Sequence, residues 1–162
     1  MKTAETLTVT TPSDREIVMT RVFNAPRRLV FDAHTKPELV KRWLLGPPGW
    51  SMPVCEIDLR VGGKYRYVWR SDSDGTEMGM GGVYREVLAP ERIVTTERFD
   101  EAWYPGEGVG TLLLVERGGK TTLTNTMRYE SRAARDGVLK SGMEKGVAES
   151  YDRLAELLAS TT

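Results

Sequence analysis

The sequence predicts a single α+β domain in which a seven-stranded antiparallel sheet, in the element order β-α-α-β6-α, curves around a long C-terminal helix. Three observations predict it. Residues 15–24 and most of residues 54–129 are rich in β-branched and aromatic residues in rough alternation with polar ones, the period of two expected of strands. From Arg135 to Leu158 the period lengthens, with Leu139, Met143, Val147, Tyr151, Leu154 and Leu158 stepping by three or four along one face. The Gly/Pro clusters between these runs are short enough to be turns, and no segment repeats at a fixed period.

Taken in order, residues 1–13 are Thr-rich and polar with little to bury, and read as a flexible N-terminal arm before a domain spanning residues 14–160. Arg15 to Asn24 reads as a strand closed by Ala25-Pro26. Pro26 suits a first helical turn, with Leu29, Val30 and Ala33 at helical spacing behind it. Thr35-Lys36-Pro37 opens a second short helix with an apolar stripe of Leu39, Val40, Trp43 and Leu44, ended by Gly46-Pro47-Pro48-Gly49. Strands follow at Val54–Arg60, Lys64–Arg70, Thr76–Leu88, Arg92–Phe99, Val109–Glu116 and Thr121–Tyr129, each bounded by turn residues. Between Ser131 and Ser160 five basic residues balance five acidic ones, as on the solvated side of an amphipathic helix.

Composition narrows the partners. The 162 residues suffice for one domain with its own core, and 23 basic against 23 acidic residues leave no net charge, which argues against a general nucleic-acid binder. No apolar run is long enough to span a membrane, so neither nucleic acid nor membrane is expected as a partner. The first 15 residues lack the apolar stretch of a secretory signal, and the expected location is cytoplasmic. With one His and one Cys the usual zinc ligand sets cannot be assembled, so neither a metal nor any other cofactor is expected.

A long amphipathic helix must cover its stripe, and twisted antiparallel strands offer a concave face on which to lay it. Gly142 and Gly146, four apart beside Met143 and Val147, each cost about 0.8–1 kcal/mol relative to Ala in a helix interior. Either the helix backbone approaches the sheet closely there, or the missing side chains leave volume for a ligand. Tyr65, Tyr67 and Trp69 share one face of their strand, where they either fill the core or line a pocket with apolar walls and polar tips. Met78 and Met80 on the next strand add adaptable surface.

Several motifs together resemble a known family. They are Asn24-Ala25-Pro26-Arg27, Thr35-Lys36-Pro37-Glu38 with Trp43, Gly46-Pro47-Pro48-Gly49, Asp58-Leu59-Arg60-Val61-Gly62-Gly63, Thr96-Glu97-Arg98-Phe99 and Gly142-Met143-Glu144-Lys145-Gly146. They are similar to the bacterial single-domain relatives of the activator of heat-shock-protein-90 ATPase, in the START-like, polyketide-cyclase and birch-pollen-allergen superfamily, and the similarity covers about Arg15 to Leu158. The resemblance implies a helix-grip fold around an internal apolar cavity. It implies no single activity, because carriers, cyclases and co-chaperone domains share the fold. Val147 after Gly146 and Leu44 after Trp43 stand where relatives frequently carry Trp, and the smaller side chains would reshape the pocket.

The chemistry-bearing residues are few. His34, the sole imidazole, is placed at the end of the first short helix, where the dipole favours its charged form in a capping or surface role. Cys55 has no basic motif beside it and reads as a buried, inert thiol. For proton transfer the candidates are Glu97, Arg66, Tyr65 and Tyr67. Glu97 shares a strand face with Thr95 and Phe99, so either desolvation raises its pKa or an Arg on a neighbouring strand pairs with it. Gly79-Met80-Gly81-Gly82 and the stretch from Gly106 to Gly110 lack the strand-to-helix context and the Lys of a phosphate loop. They read as thin strand packing and as a mobile connection, respectively.

The resulting expectation is a domain that sequesters a small apolar, lipid- or polyketide-like molecule. Tyr65, Tyr67, Trp69, Met80, Phe99, Met143, Val147 and Tyr151 form the wall, Trp43, Trp50 and Trp103 stand near the entrances, and Glu97 supplies the polar group. No residue is assigned a catalytic role. Two alternatives stay open: a cyclase or hydrolase acting on such a molecule, and an interaction domain that stimulates a chaperone ATPase. The chain would act as a monomer or homodimer.

Overall fold

In a computed structural model, which describes residues 6–101, 104 and 106–161, the elements run β1 (Thr8–Thr10), β2 (Glu16–Phe23), α1 (Arg27–Thr35), α2 (Pro37–Trp43), β3 (Trp50–Ile57), β4 (Lys64–Ser71), β5 (Glu77–Leu88), β6 (Arg92–Phe99), β7 (Gly108–Arg117), β8 (Lys120–Arg128), α3 (Arg132–Lys140) and α4 (Met143–Thr161). All strand pairs are antiparallel, in the order β1-β2-β8-β7-β6-β5-β4-β3. The element order and the antiparallel sheet match those read from the sequence, with two differences.

The sheet has eight strands rather than seven. The extra one is β1, whose Thr8, Val9 and Thr10 pair with Thr20, Met19 and Val18 at the sheet edge. A Thr-rich segment carries little burial signal but does have β-propensity, and an open edge supplies its hydrogen-bond partners. The C-terminal helix is also two helices rather than one. The α3 helix starts on Ser131, whose hydroxyl accepts from the Ala134 N–H at 3.0 Å, and ends at Ser141. Gly142 follows at φ +82°, a left-handed conformation that stops a helix and that only glycine enters without strain. Gly142 is thus a helix stop, not an interior residue.

Alternation along β2 turns Ile17, Met19, Arg21 and Phe23 inward. Arg21 is buried and is neutralised by Asp152 of α4 at 2.7 Å, with its guanidinium 5.2 Å from the Phe23 ring centroid. This pair pins α4 across the sheet, and fully buried Leu154 adds about 1.5–3 kcal/mol of apolar burial beside it. Trp43, fully buried, donates its indole N–H to the Ala33 carbonyl at 2.8 Å and stacks on Tyr151 at 5.8 Å, tying α2 to α1 and α4.

The apolar interior falls into two clusters. One gathers Phe23, Trp43, Tyr65, Tyr67, Tyr84 and Leu154, and the other Ile17, Met19, Tyr104, Met127, Tyr129 and Val138. Phe99 and Val147 pack against both. Among the described residues no helix is long and apolar enough to cross a membrane, and no three His, Cys, Asp or Glu side chains gather to hold a metal ion.

Candidate functional site

The concave face of the sheet and α4 do not close on each other. Between them lies a cavity of about 540 Å³, lined by residues of both core clusters. Strand alternation decides who faces it: Tyr65, Tyr67 and Trp69 from β4, Met78, Met80 and Tyr84 from β5, and Ile93, Thr95, Glu97 and Phe99 from β6. The helices contribute Trp43 from α2, and Met143, Gly146, Val147, Ser150 and Tyr151 from α4. Trp50, expected at an entrance, lines the cavity from the start of β3. Trp103 lies outside the described residues. The other eleven residues singled out from the sequence all border this one space.

The two glycines beside α4 have different reasons. A Cβ built on Gly142 would meet nothing within 4 Å. One on Gly146 would meet Pro47 Cδ at 3.5 Å and Gly46 Cα at 3.8 Å, ordinary contacts, and no atom of the sheet. Close approach of helix to sheet is therefore not what Gly146 serves; it faces the Gly46-Pro47 turn at ordinary contact distance, where both border the cavity. The sheet glycines are the ones that enforce close approach. A Cβ on Gly82 would lie 1.9 Å from the Thr96 carbonyl oxygen, and one on Gly110 would lie 3.0 Å from Met127 Sδ.

One region of the wall is polar. Glu97 lies within electrostatic reach of Tyr104, Tyr65 and Tyr129. Burial raises the Glu97 carboxyl to about 7, with neighbouring Tyr104 pulling the other way. The same burial pushes the hydroxyls of Tyr65, Tyr104 and Tyr129 up, so they stay protonated. The Tyr65 hydroxyl donates to the Thr96 carbonyl at 2.6 Å, and Tyr151 and Asn125 both border the cavity.

Arg66 does not pair with Glu97. It lies on the opposite face of β4 and forks onto Asp100 at 2.7 and 2.6 Å, which removes it from the cavity and from the list of proton-transfer candidates. His34 also departs from expectation. Its ring lines the cavity rather than the surface, edge-on to Trp43 at 4.8 Å, and burial lowers its pKa to about 4. Nδ1 sits 2.8 Å from the Val30 carbonyl, which can only accept, so Nδ1 carries the proton and Nε2 is left buried without a partner. Packing of α2 and α4 over the end of α1 overrides the helix dipole. Cys55 is half-buried with its thiol raised to about 11, the behaviour of an unreactive cysteine.

Sequence reasoning missed many contributors, among them His34, Tyr84, Ile93, Asn125, Tyr129, Ser150 and the inward glycines of β7. A Cβ on Gly108 would press on Met127 Cε at 3.2 Å and on Tyr104 and Tyr129 at 3.5 Å. Gly108 and Gly110 thus belong to a strand that thins the wall so that these rings reach Glu97, rather than to a mobile connection. Their spacing of two, in register with the strand that follows, is the signal that could have shown it.

Residues 24–159 match the family described as Activator of Hsp90 ATPase homolog 1-like protein. A Rhodobacter sphaeroides protein of known crystal structure is 30% identical, with 96% of this chain and 99% of that chain covered and a TM-score of 0.90. A Chromobacterium violaceum protein is also 30% identical over 90% of this chain and 98% of its own, with a TM-score of 0.76. A Staphylococcus epidermidis protein solved by NMR in solution is 28% identical over 96% and 95%, with a TM-score of 0.80. No curated protein matches.

Proposed function

We propose that this chain, which belongs to the Activator of Hsp90 ATPase homolog 1-like family, sequesters a small, largely apolar molecule between its curved sheet and α4. The observation that carries the reading is the cavity of about 540 Å³, a size typical of ligand pockets, left between the sheet and α4 with a wall made mostly of aromatic and methionine side chains. A solid core would be more stable, because unfilled space forfeits dispersion contacts that neighbouring side chains could make. The aromatic and methionine wall offers an apolar guest extensive contact, and the polar tips of its tyrosines can orient one. Tyr65, Tyr67, Trp69, Met80, Phe99, Met143, Val147 and Tyr151 form the walls, with Trp50 and Trp43 also lining the space, Trp43 from within the core rather than at an entrance, and Glu97 as the polar contact.

Native mass spectrometry of freshly purified protein, compared with Gly146→Leu, tests this reading. The wild type is expected to carry or take up an apolar molecule, and the leucine, projecting into the cavity, to exclude it while the fold persists. A wild type that carries nothing and takes up no apolar probe overturns it. The family description favours a second reading, stimulation of a chaperone ATPase. That activity would survive Gly146→Leu, whereas ligand uptake would not.

A further inference from the structure

We propose that the ligand of this cavity carries a basic nitrogen, held as an ammonium against the Glu97 carboxylate with its apolar body along Tyr67, Trp69 and Met80. The inference rests on the reading of the cavity as a binding site for an apolar molecule and adds the chemical class of that molecule: an alkyl or aryl amine.

Among the described residues Glu97 is the one carboxylate lining the cavity, and no Lys or Arg lines it. Among the described residues no cation forms an ion pair with it. The one buried arginine on the same face of the sheet, Arg21, is held by Asp152 at 2.7 Å. A carboxylate withdrawn from water among aromatic rings is costly unless something positive meets it. Its surroundings also suit a cation. Phe99, Tyr104 and Tyr129, which share the cavity lining with Glu97, form a chain of edge-to-face rings with centroids 6.4 and 5.2 Å apart, and aromatic faces attract an ammonium. Tyr104 beside Glu97 acts to lower its pKa, which favours the charged carboxylate over the acid.

The other groups facing this site stay neutral near neutral pH. Tyr65 from β4, Tyr104 from the β6–β7 connection and Tyr129 after β8 have hydroxyls raised by burial. Thr95 and Asn125 do not titrate, His34 elsewhere in the lining is uncharged above about pH 4, and α3 and α4 present no charged side chain. Arg98 and Glu107 act on Tyr104 from outside the lining, and Glu107 faces Arg85 at 3.6 Å. Glu97 alone therefore sets the pH dependence.

Isothermal titration calorimetry with decylamine, decanol and decanoic acid, which share one apolar body, tests the proposal. At pH 8 decylamine is expected to bind wild type about 10- to 100-fold more tightly than decanol, the range of a charge-assisted hydrogen bond. Glu97→Gln is expected to erase that preference by weakening decylamine about 10- to 100-fold, with an unchanged circular dichroism spectrum showing that the variant folds. Because the carboxyl titrates at about 7, decylamine binding to wild type should weaken about tenfold between pH 8 and pH 6, with decanol unchanged. Decanol binding as tightly as decylamine, or decanoic acid binding tightest, overturns the amine and leaves the apolar site standing. Failure of all three to bind overturns both.

Discussion

Replacing Glu97 with Gln should stabilise the protein at high pH and not at low pH. The unfolded carboxyl titrates near 4.5 and the folded one at about 7. Between those values the native state binds the proton and the unfolded state does not, so stability falls as pH rises across that window and levels off above it. Below about 4.5 both states are protonated and the contribution vanishes. At 1.36 kcal/mol per pH unit the full displacement is worth about 3 kcal/mol. A carboxyl that borders a cavity keeps part of its hydration, which brings the working figure to about 2 kcal/mol. In a chain of this length that corresponds to roughly 4–8 °C in Tm. The assay is urea unfolding of wild type and Glu97→Gln at pH 5, 6, 7 and 8, taking the difference at each pH so that other titrating groups cancel. The variant should gain steadily on the wild type from pH 5 to 7 and then hold its lead. A difference that stays flat across the series would refute the buried, cation-free carboxyl on which the site description depends.

Two further predictions concern other parts of the molecule. His34 is the sole histidine, so its NMR titration is unambiguous: the ring should remain neutral down to about pH 5 and titrate near 4, with the proton on Nδ1, whereas a value of 6 or above would place it in solvent. Gly82→Ala drives a methyl into the Thr96 carbonyl and should cost about 2–3 kcal/mol by separating β5 from β6, read as a lower urea midpoint, while an unchanged midpoint would show that the strands yield without penalty.

Much of the site was legible in the sequence because strand and helix periods report which residues share a face. Tyr65, Tyr67 and Trp69 must point the same way on any strand, as must Thr95, Glu97 and Phe99, and the stripe through Val147, Tyr151, Leu154 and Leu158 must face whatever covers it. Local pattern is silent about what meets those faces. Thr8–Thr10 have no apolar alternation, so the strand they form depended on a free edge of β2. His34 reads locally as a helix-end residue that favours charge, and only α2 and α4, folded over it from farther along the chain, make it neutral.

From the sequence alone came the class of the fold, the order of its elements and the set of side chains turned toward its centre, since each follows from contacts between near neighbours in the chain. Whether Glu97 would find an arginine, whether Gly146 would touch the sheet, and whether the rings would fill the centre or leave space were decided only when distant segments came together. Arg66 turned outward to Asp100, and Gly146 came up against the Gly46-Pro47 turn rather than a strand. Those outcomes depend on distances between elements many residues apart, set by the twist of the whole sheet and the tilt of α4, which no local period encodes.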